Sequence, residues 1–308
     1  AYSDTGNSGQ GTCRVVTCSG TTISFGAAAN FNTGSIVYMQ GQSIAYDSDS
    51  GKVVVCYGDA ANSTYGTAVV GTVSGTTITY GTPVVFKSDS VTSLCITFDS
   101  NSNKMVIGFV DINDDYAIKA VVGTVSGTAI SYGSTVEVAA KSGDSYTNTS
   151  LAIAFDSDLN KVVFSYSEIT TSNKGEVSVG TVSGTSTTWT TPVEFLDQLH
   201  TGQSMAYDVS SGNSLLVYRD SGNPNFYLEA NVVTTATTDL TAAALLGLSD
   251  AAISDTASGN ITVKGGIATY PAQPALSAGD PVQFESGSNS YNASVFDSNA
   301  NKIVAFYD

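Results

Sequence analysis

Five acidic residues recur at one repeat position along this 308-residue chain. Asp4, Asp59, Asp111, Glu168 and Asp220 each stand two residues beyond an aromatic side chain: Tyr2, Tyr57, Phe109, Tyr166 and Tyr218. Oxygen donors gathered at one mouth of a tunnel could hold a hard divalent cation, the one cofactor the sequence suggests. The same residues also suit a plainer task, capping the loop that follows each. Acids placed at an axis serve glycoside hydrolysis, but that chemistry needs an asymmetric pair, whereas these recur symmetrically. Repetition is an internal control. A residue present in every repeat belongs to the scaffold, and a site residue should break the symmetry.

A second acidic set, Asp47, Asp99, Asp156, Asp208 and Asp297, follows an aromatic at the end of an apolar phrase. These read as turn residues, since an Asp side chain accepts from nearby backbone amides. The runs at 47–49 and 156–158 lack the glycine and distal glutamate of a calcium loop. His200 is the only histidine and has no nucleophile beside it, which argues against a Ser-His-Asp triad. Phosphate-loop and dinucleotide fingerprints are absent from the sequence. Trp189, the only tryptophan, reads as packing. The expectation is a non-enzymatic protein. What remains is a mixture of aromatics with Asn, Asp and Ser in loops of variable length. Tyr65, Tyr116, Tyr146, Asn225 and Tyr227 are the candidate contacts there, because rings stack on sugars and amides bond to hydroxyls.

The elements that must position these residues repeat. GTVSGT occurs at 71–76, 123–128 and 180–185, with a degenerate copy, VTCSGT, at 16–21. The phrase ending in aromatic-Asp occurs at 43–55, 95–107, 152–164, 204–217 and 293–305. Self-similarity at a period of about fifty residues marks a stacked or radial repeat. Within 42–93, strand A is 43–46, strand B 53–57, strand C 67–73 and strand D 77–86, followed by a loop at 87–93. The period is two, the composition β-branched and aromatic, and Ser-Gly marks a hairpin between C and D.

Four antiparallel strands per repeat is the unit of a β-propeller blade. The expected fold is therefore all-β: a five-bladed propeller of four-stranded blades, closed two-plus-two by the N- and C-terminal strands. The runner-up is an open stack of repeats. The propeller covers 1–233 and 282–308, and residues 234–281 form a small inserted β-module. The insert grows from a C–D turn, so strand parity puts it on the face opposite the variable B–C and D–A loops.

The net charge is −16, with eleven Lys and Arg and no basic stripe, so nucleic acid and a polybasic membrane contact are both disfavoured. The longest apolar run of the insert, 242–248, is too short to span a bilayer. Cys13 and Cys18 sit five apart on one strand and face opposite ways, so a bridge between them is not expected. Cys56 and Cys95 read as lone buried thiols.

The repeat VVGTVSGTxISYG…PVVF…FDSNxNKVVxxY resembles arrays in tail-fibre and other virion proteins of marine bacteriophages, and in some marine bacterial proteins. The small-residue segment between 239 and 282 resembles a module of the same proteins, here interrupting a repeat instead of following the array. The resemblance carries no catalytic residues. It implies a virion component, exposed on the particle or extracellular, whose partners are other virion subunits and a host surface glycan or receptor. A glycoside-acting enzyme and a purely architectural virion or bacterial surface protein are the alternatives.

Overall fold

The computed structural model describes residues 1–37, 43–139, 150–168, 174–198, 200–220 and 228–234, and the backbone of 245–248, 293–297 and 302–306. Among these residues the fold is all-β, with antiparallel pairing throughout and only short 3-10 turns besides.

Five repeat units follow one another. The N-terminal unit holds β1 (Tyr2–Asp4), β2 (Gln10–Cys13), β3 (Val16–Ser19), β4 (Thr22–Phe25) and the start of β5 (Ala29–Val37). The second holds the end of β5, β6 (Ile44–Asp47), β7 (Lys52–Asp59), β8 (Tyr65–Ser74), β9 (Thr77–Tyr80) and the start of β10 (Val84–Asp99). The third runs from the end of β10 through β11 (Lys104–Asp111), β12 (Ala117–Ser126), β13 (Ala129–Tyr132) and β14 (Val136–Ala139). The fourth is β15 (Leu151–Asp156), β16 (Lys161–Glu168), β17 (Lys174–Ser183), β18 (Ser186–Trp189) and β19 (Val193–Leu196). The fifth is β20 (His200–Asp208), β21 (Asn213–Asp220), β22 (Leu228–Val233) and β23 (Leu245–Leu248), which pairs with β22 and so completes that sheet. A last hairpin, β24 (Ala293–Asp297) with β25 (Lys302–Phe306), repeats strands A and B.

The A and B strands lie where the sequence phrases put them, whereas strand D differs from the expectation. It is broken in two: β9 pairs with the far end of β8, and Val84–Val85 pair with its near end at Ala68 and Thr67. The expected loop at 87–93 is strand. β10 runs unbroken from its pairing with β8 into its pairing with β11, and β5 likewise links β2 to β7. One chain segment thus serves two units, with register shifts at Lys87 and between Thr92 and Cys95 to absorb the change of partner. The sheets are open, and none closes on itself.

The cores lie between units. In β7 the side chains alternate: Val55 and Tyr57 pack back on Cys13 and Phe31, while Val54 and Cys56 pack forward on Met105, Ile107 and Phe109. The same two-faced pattern joins the third unit to the fourth and the fourth to the fifth. Strands β6, β10, β15, β20 and β24 therefore lie side by side in order. Rings cross the first two junctions. Phe31 meets Tyr57 and Tyr80 at 5.1 and 5.8 Å, and Phe86 meets Phe109 and Tyr132 at 5.3 and 5.8 Å. Cys13, Cys56 and Cys95 are buried free thiols, and Cys18 is free and exposed. Trp189 packs across Gly180 and against Phe164.

The glycines of the repeat phrase have separate tasks. Gly75, Gly127 and Gly184 sit at the hairpin tip with φ of 57–61° and open space around them. Gly26, Gly81 and Gly133, just past the D-strand aromatic position, do something else. A Cβ there would come within 1.9–2.0 Å of the carbonyl oxygens of Thr76, Thr128 and Thr185, each in the GT turn of the next unit. GTVSGT and the following Tyr-Gly or Phe-Gly are the two halves of one junction. The fourth unit departs from the rule: Thr190 makes the equivalent amide bond to Val179 (2.9 Å), as Gly81 does to Val70. Its successor ends its C strand in Asn-Val-Val-Thr and carries no GT turn to be accommodated.

Gly81→Ala is expected to cost about 3 kcal/mol by forcing the second and third units apart. Gly75→Ala should cost only about 1 kcal/mol, for its left-handed backbone. Thr190→Gly should also cost about 1 kcal/mol, because it removes the hydroxyl that accepts the Val179 amide at 3.0 Å. Denaturant midpoints of the three variants check the ranking.

Candidate functional site

The five carboxylates predicted to share one loop rim are held in different ways. Asp59 ends β7, and its Oδ1 accepts the amide of Ala61 at 3.1 Å, which caps the 3-10 turn Ala60–Asn62. Asp4 ends β1 ahead of a matching 3-10 turn, Thr5–Asn7, and its carbonyl accepts the amide of Gly9 at 2.8 Å, as that of Asp59 accepts Thr64. Asp220 is buried, and its Oδ2 accepts from Gln198 Nε2 at 2.6 Å. Glu168 closes β16, but its side chain is outside the described residues. The Asp59 and Asp220 carboxylates are thus engaged locally, whereas the Asp4 side chain makes no capping bond to its turn. Among the described residues, no three His, Cys, Asp or Glu side chains form a group that could hold a metal ion.

Asp111 breaks the symmetry. It is fully buried, and its Oδ2 lies 2.9 Å from both Lys87 and Lys119 Nζ. Lys87 also pairs with Asp89 at 2.9 Å, and Lys119 with Asp114. Asn113 Nδ2 donates to Asp89 at 3.0 Å. Burial pulls both ammonium groups down, but their carboxylate partners outweigh it, so both titrate above the ordinary lysine value. This cluster ties the D strand of the second unit to the B–C loop of the third. Lysine is unique to this repeat: the positions of Lys87 carry Asn32, Ala139 and Leu196 elsewhere, and those of Lys119 carry Thr12, Thr67, Glu176 and Glu229. Sequence reasoning missed both lysines, although this broken symmetry was available to it.

Two candidate contacts can be followed. Tyr65 opens β8, half-buried, directly after Ser63 and Thr64, whose φ values are 54° and 59°. Thr64 is pinned to Ser90 through their hydroxyls. Tyr116 precedes β12, with φ values of 52° at Asp115 and 58° at Tyr116 itself, and its half-buried side chain packs on the core between the third and fourth units. Paired left-handed residues are uncommon outside glycine. Tyr146, Asn225 and Tyr227 lie outside the described residues.

His200 lies at the start of β20, where the second and third units have Ile36 and Val91 opposite the rim carboxylate. It is fully buried between Phe195 and Tyr218, at ring distances of 5.3 and 5.6 Å. Gln203 Nε2 donates to its Nε2 at 2.8 Å and to the carbonyl of Ser150 at 3.0 Å, and Ser165 donates to Gln203 Oε1. Nδ1 faces the carbonyl of Gln198 at 3.4 Å, so the network assigns the proton to Nδ1. Burial pulls the imidazole down to about 4, against a smaller opposing effect of the Gln198 carbonyl. Ser167 Oγ lies 3.2 Å from Nε2, but both groups are sealed from solvent and a backbone carbonyl stands where a triad would need its acid. This is a neutral structural pin across a junction.

Four of the five turn aspartates act as read from the sequence, and the side chain of Asp297 lies outside the described residues. Asp47, Asp99 and Asp156 each accept two backbone amides at 2.9–3.0 Å, and Asp208 accepts the amide and hydroxyl of Ser210. No family model matches the chain, and no curated protein sequence matches it.

Lys119→Met should cost about 3 kcal/mol, since it strips one partner from a buried charge. Adding Asp111→Asn to that variant should recover part of the loss, as a double-mutant cycle in urea would report. His200 gives a signed pH effect. Its folded value lies below its unfolded one, so its contribution is complete above about pH 6.5 and is lost as pH falls toward about 4, to a total of roughly 3 kcal/mol. His200→Val, which copies Val91, should remove that share of the slope between pH 7 and pH 4.5.

Proposed function

We propose that the chain is a five-bladed β-propeller whose B–C and D–A loop face binds a host surface glycan or receptor, as the attachment part of a virion protein such as a tail fibre. Sheets stacked face to face with their A strands abreast support the ring. The virion assignment rests on the resemblance of the repeat phrases. Binding is favoured over catalysis by one observation: the rim acids that hydrolysis would recruit serve local structure, with Asp59 capping a turn, Asp111 neutralised by two lysines and Asp220 held by Gln198. Among the described loops, those at 60–64 and 112–116 place Tyr65 and Tyr116 beside Asn and Asp. A rigid platform of aromatics and amides loses little entropy on meeting a ligand. Most of the insert at 234–281 lies outside the described residues, and other virion subunits are its proposed partners.

A glycan and whole-cell binding screen with the purified chain tests the reading. Tyr65→Ala and Tyr116→Ala are expected to weaken the strongest interaction roughly tenfold or more at unchanged folded fraction, the loss of one stacked ring. Turnover of a polysaccharide, abolished by Asp111→Asn, would favour the glycoside-acting alternative. Binding that survives both Tyr changes would take the contact off these loops.

A further inference from the structure

The loops that carry Tyr65 and Tyr116 are tied to one strap of chain. Residues 87–91 of β10 cross from the second unit to the third, and both neighbouring B–C loops bond to them. On one side, the Val91 amide donates to the Thr64 carbonyl at 3.2 Å, the hydroxyls of Thr64 and Ser90 are bonded, and Tyr65 is the register partner of Ser90. On the other, the Ile112 amide donates to the Ser90 carbonyl at 3.1 Å, Asn113 Nδ2 donates to Asp89 Oδ1 at 3.0 Å, and Lys87 reaches Asp111. The loop that continues from Asn113 ends in Tyr116. The strap between the first and second units is tied similarly, with the Ile36 amide donating to the Gly9 carbonyl at 2.9 Å, but it carries Asn32, Thr33, Gly34 and Ser35 and no charge.

The charged crossing has hydrogen-bonding capacity that the described residues do not use. An ammonium group carries three N–H donors. Lys87 gives two to Asp89 and Asp111, and Lys119 gives two to Asp111 and Asp114, so each keeps a third. The two lysine side chains reach the surface at 19% and 12% exposure, and Asp89 and Asp114 at 40% and 61%. Asp111 Oδ1 is buried and has no donor among the described residues, although Oδ2 of the same carboxylate has two. A buried carboxylate oxygen left so is costly, and a donor brought by a bound molecule, directly or through a bridging water, offsets that cost. Three Asp against two Lys leave the group net negative, on a chain whose own charge is −16, so an anion is repelled there. A sugar hydroxyl suits it, because a hydroxyl accepts an ammonium proton and gives its own to a carboxylate.

We infer that the crossing of the second and third units is a glycan subsite, and that it takes a neutral sugar through a pair of adjacent hydroxyls. Lys87 and Lys119 donate to the hydroxyl oxygens, and Asp89 and Asp114 accept the hydroxyl protons. Asn113 orients Asp89, and Asp111 is a positioning residue that holds both lysines at one point. Tyr65 and Tyr116, on the loops to either side, take the apolar face of the sugar ring. The inference rests on the glycan reading above and adds to it a place, a chemical class and the residues that set specificity.

An array of neutral hexose oligosaccharides beside uronate- and sulfate-bearing ones, probed with the full chain and followed by calorimetry on the strongest hits, tests it. Neutral chains are expected to bind and acidic ones not. Asp89→Asn combined with Asp114→Asn leaves the two lysines facing Asp111 alone. That variant should weaken the neutral sugar roughly tenfold and admit the uronate, a gain that no loss of folding produces. Glu194→Gln, which breaks the Lys174 pair of the fourth unit, should change neither. A preference of the unaltered chain for acidic sugars overturns the inference and leaves glycan binding standing, as does a neutral sugar whose affinity the paired Asp change does not alter. Loss of the neutral sugar with no gain of the uronate takes the lysines out of the site and overturns the assignment of specificity. A chain that binds whole cells but no sugar gives the face to a protein receptor and overturns the inference. A chain that binds neither sinks the functional reading together with it.

Discussion

The central strands of this protein divide their side chains between two cores, which ties each unit to its neighbours. β7 gives Val55 and Tyr57 to the junction behind it and Val54 and Cys56 to the junction ahead. A four-stranded sheet with two apolar faces must be covered on both, so the chain repeats and every repeat depends on its neighbours. Stability then resides in the junctions. Two further features follow from that constraint: strand segments β5 and β10 that pair with two units in turn, and a glycine at each crossing where backbone meets backbone.

The same constraint explains the division between scaffold and rim. Most residues that serve a junction or cap a turn recur from unit to unit, and the rim keeps its acid but varies that acid's partners. Asp47, Asp99 and Asp156 recur and cap turns. The rim carboxylates recur too, yet each has acquired different company: an amide for Asp59, two lysines for Asp111, a glutamine for Asp220. Variation in the partners of a recurring acid is how a repeated charge becomes an asymmetric surface. A shared cation would demand the opposite arrangement, with the acids left unspent and facing one another.

The repeat period, the A and B strands, the hairpin at Ser-Gly and the buried thiols were legible in the sequence because they depend on local pattern alone. The break in strand D was not. Thr77–Tyr80 and Val84–Val85 are one β-prone run, and only the pairing of both pieces with different ends of β8 separates them. The run at 87–93 looked like a loop because Lys, Asp and Ser are poor strand formers, and tertiary pairing to β8 and β11 overrode that preference. At the rim, the capping role of Asp59 was readable from its position before a small-residue loop. The burial of Asp111 was not, because it depends on Lys87 from the preceding unit meeting Lys119 from the next strand.

His200 shows how a departure from the repeat is absorbed. An imidazole has replaced the Ile or Val of other units at the start of strand A, and it brings two polar nitrogens into a sealed junction. Each nitrogen must find a partner there. Gln203 supplies one and reaches back to Ser150 and Ser165 of the previous unit, while the Gln198 carbonyl takes the other. The sequence change is therefore not one substitution but a set distributed over two units. Where the chain departs from its own repeat, the neighbouring unit departs with it, as Thr190 does beside a unit that carries no GT turn. That reciprocity is a property of junction-built proteins: the unit of change is the interface, and a repeat can be altered only together with the one it touches.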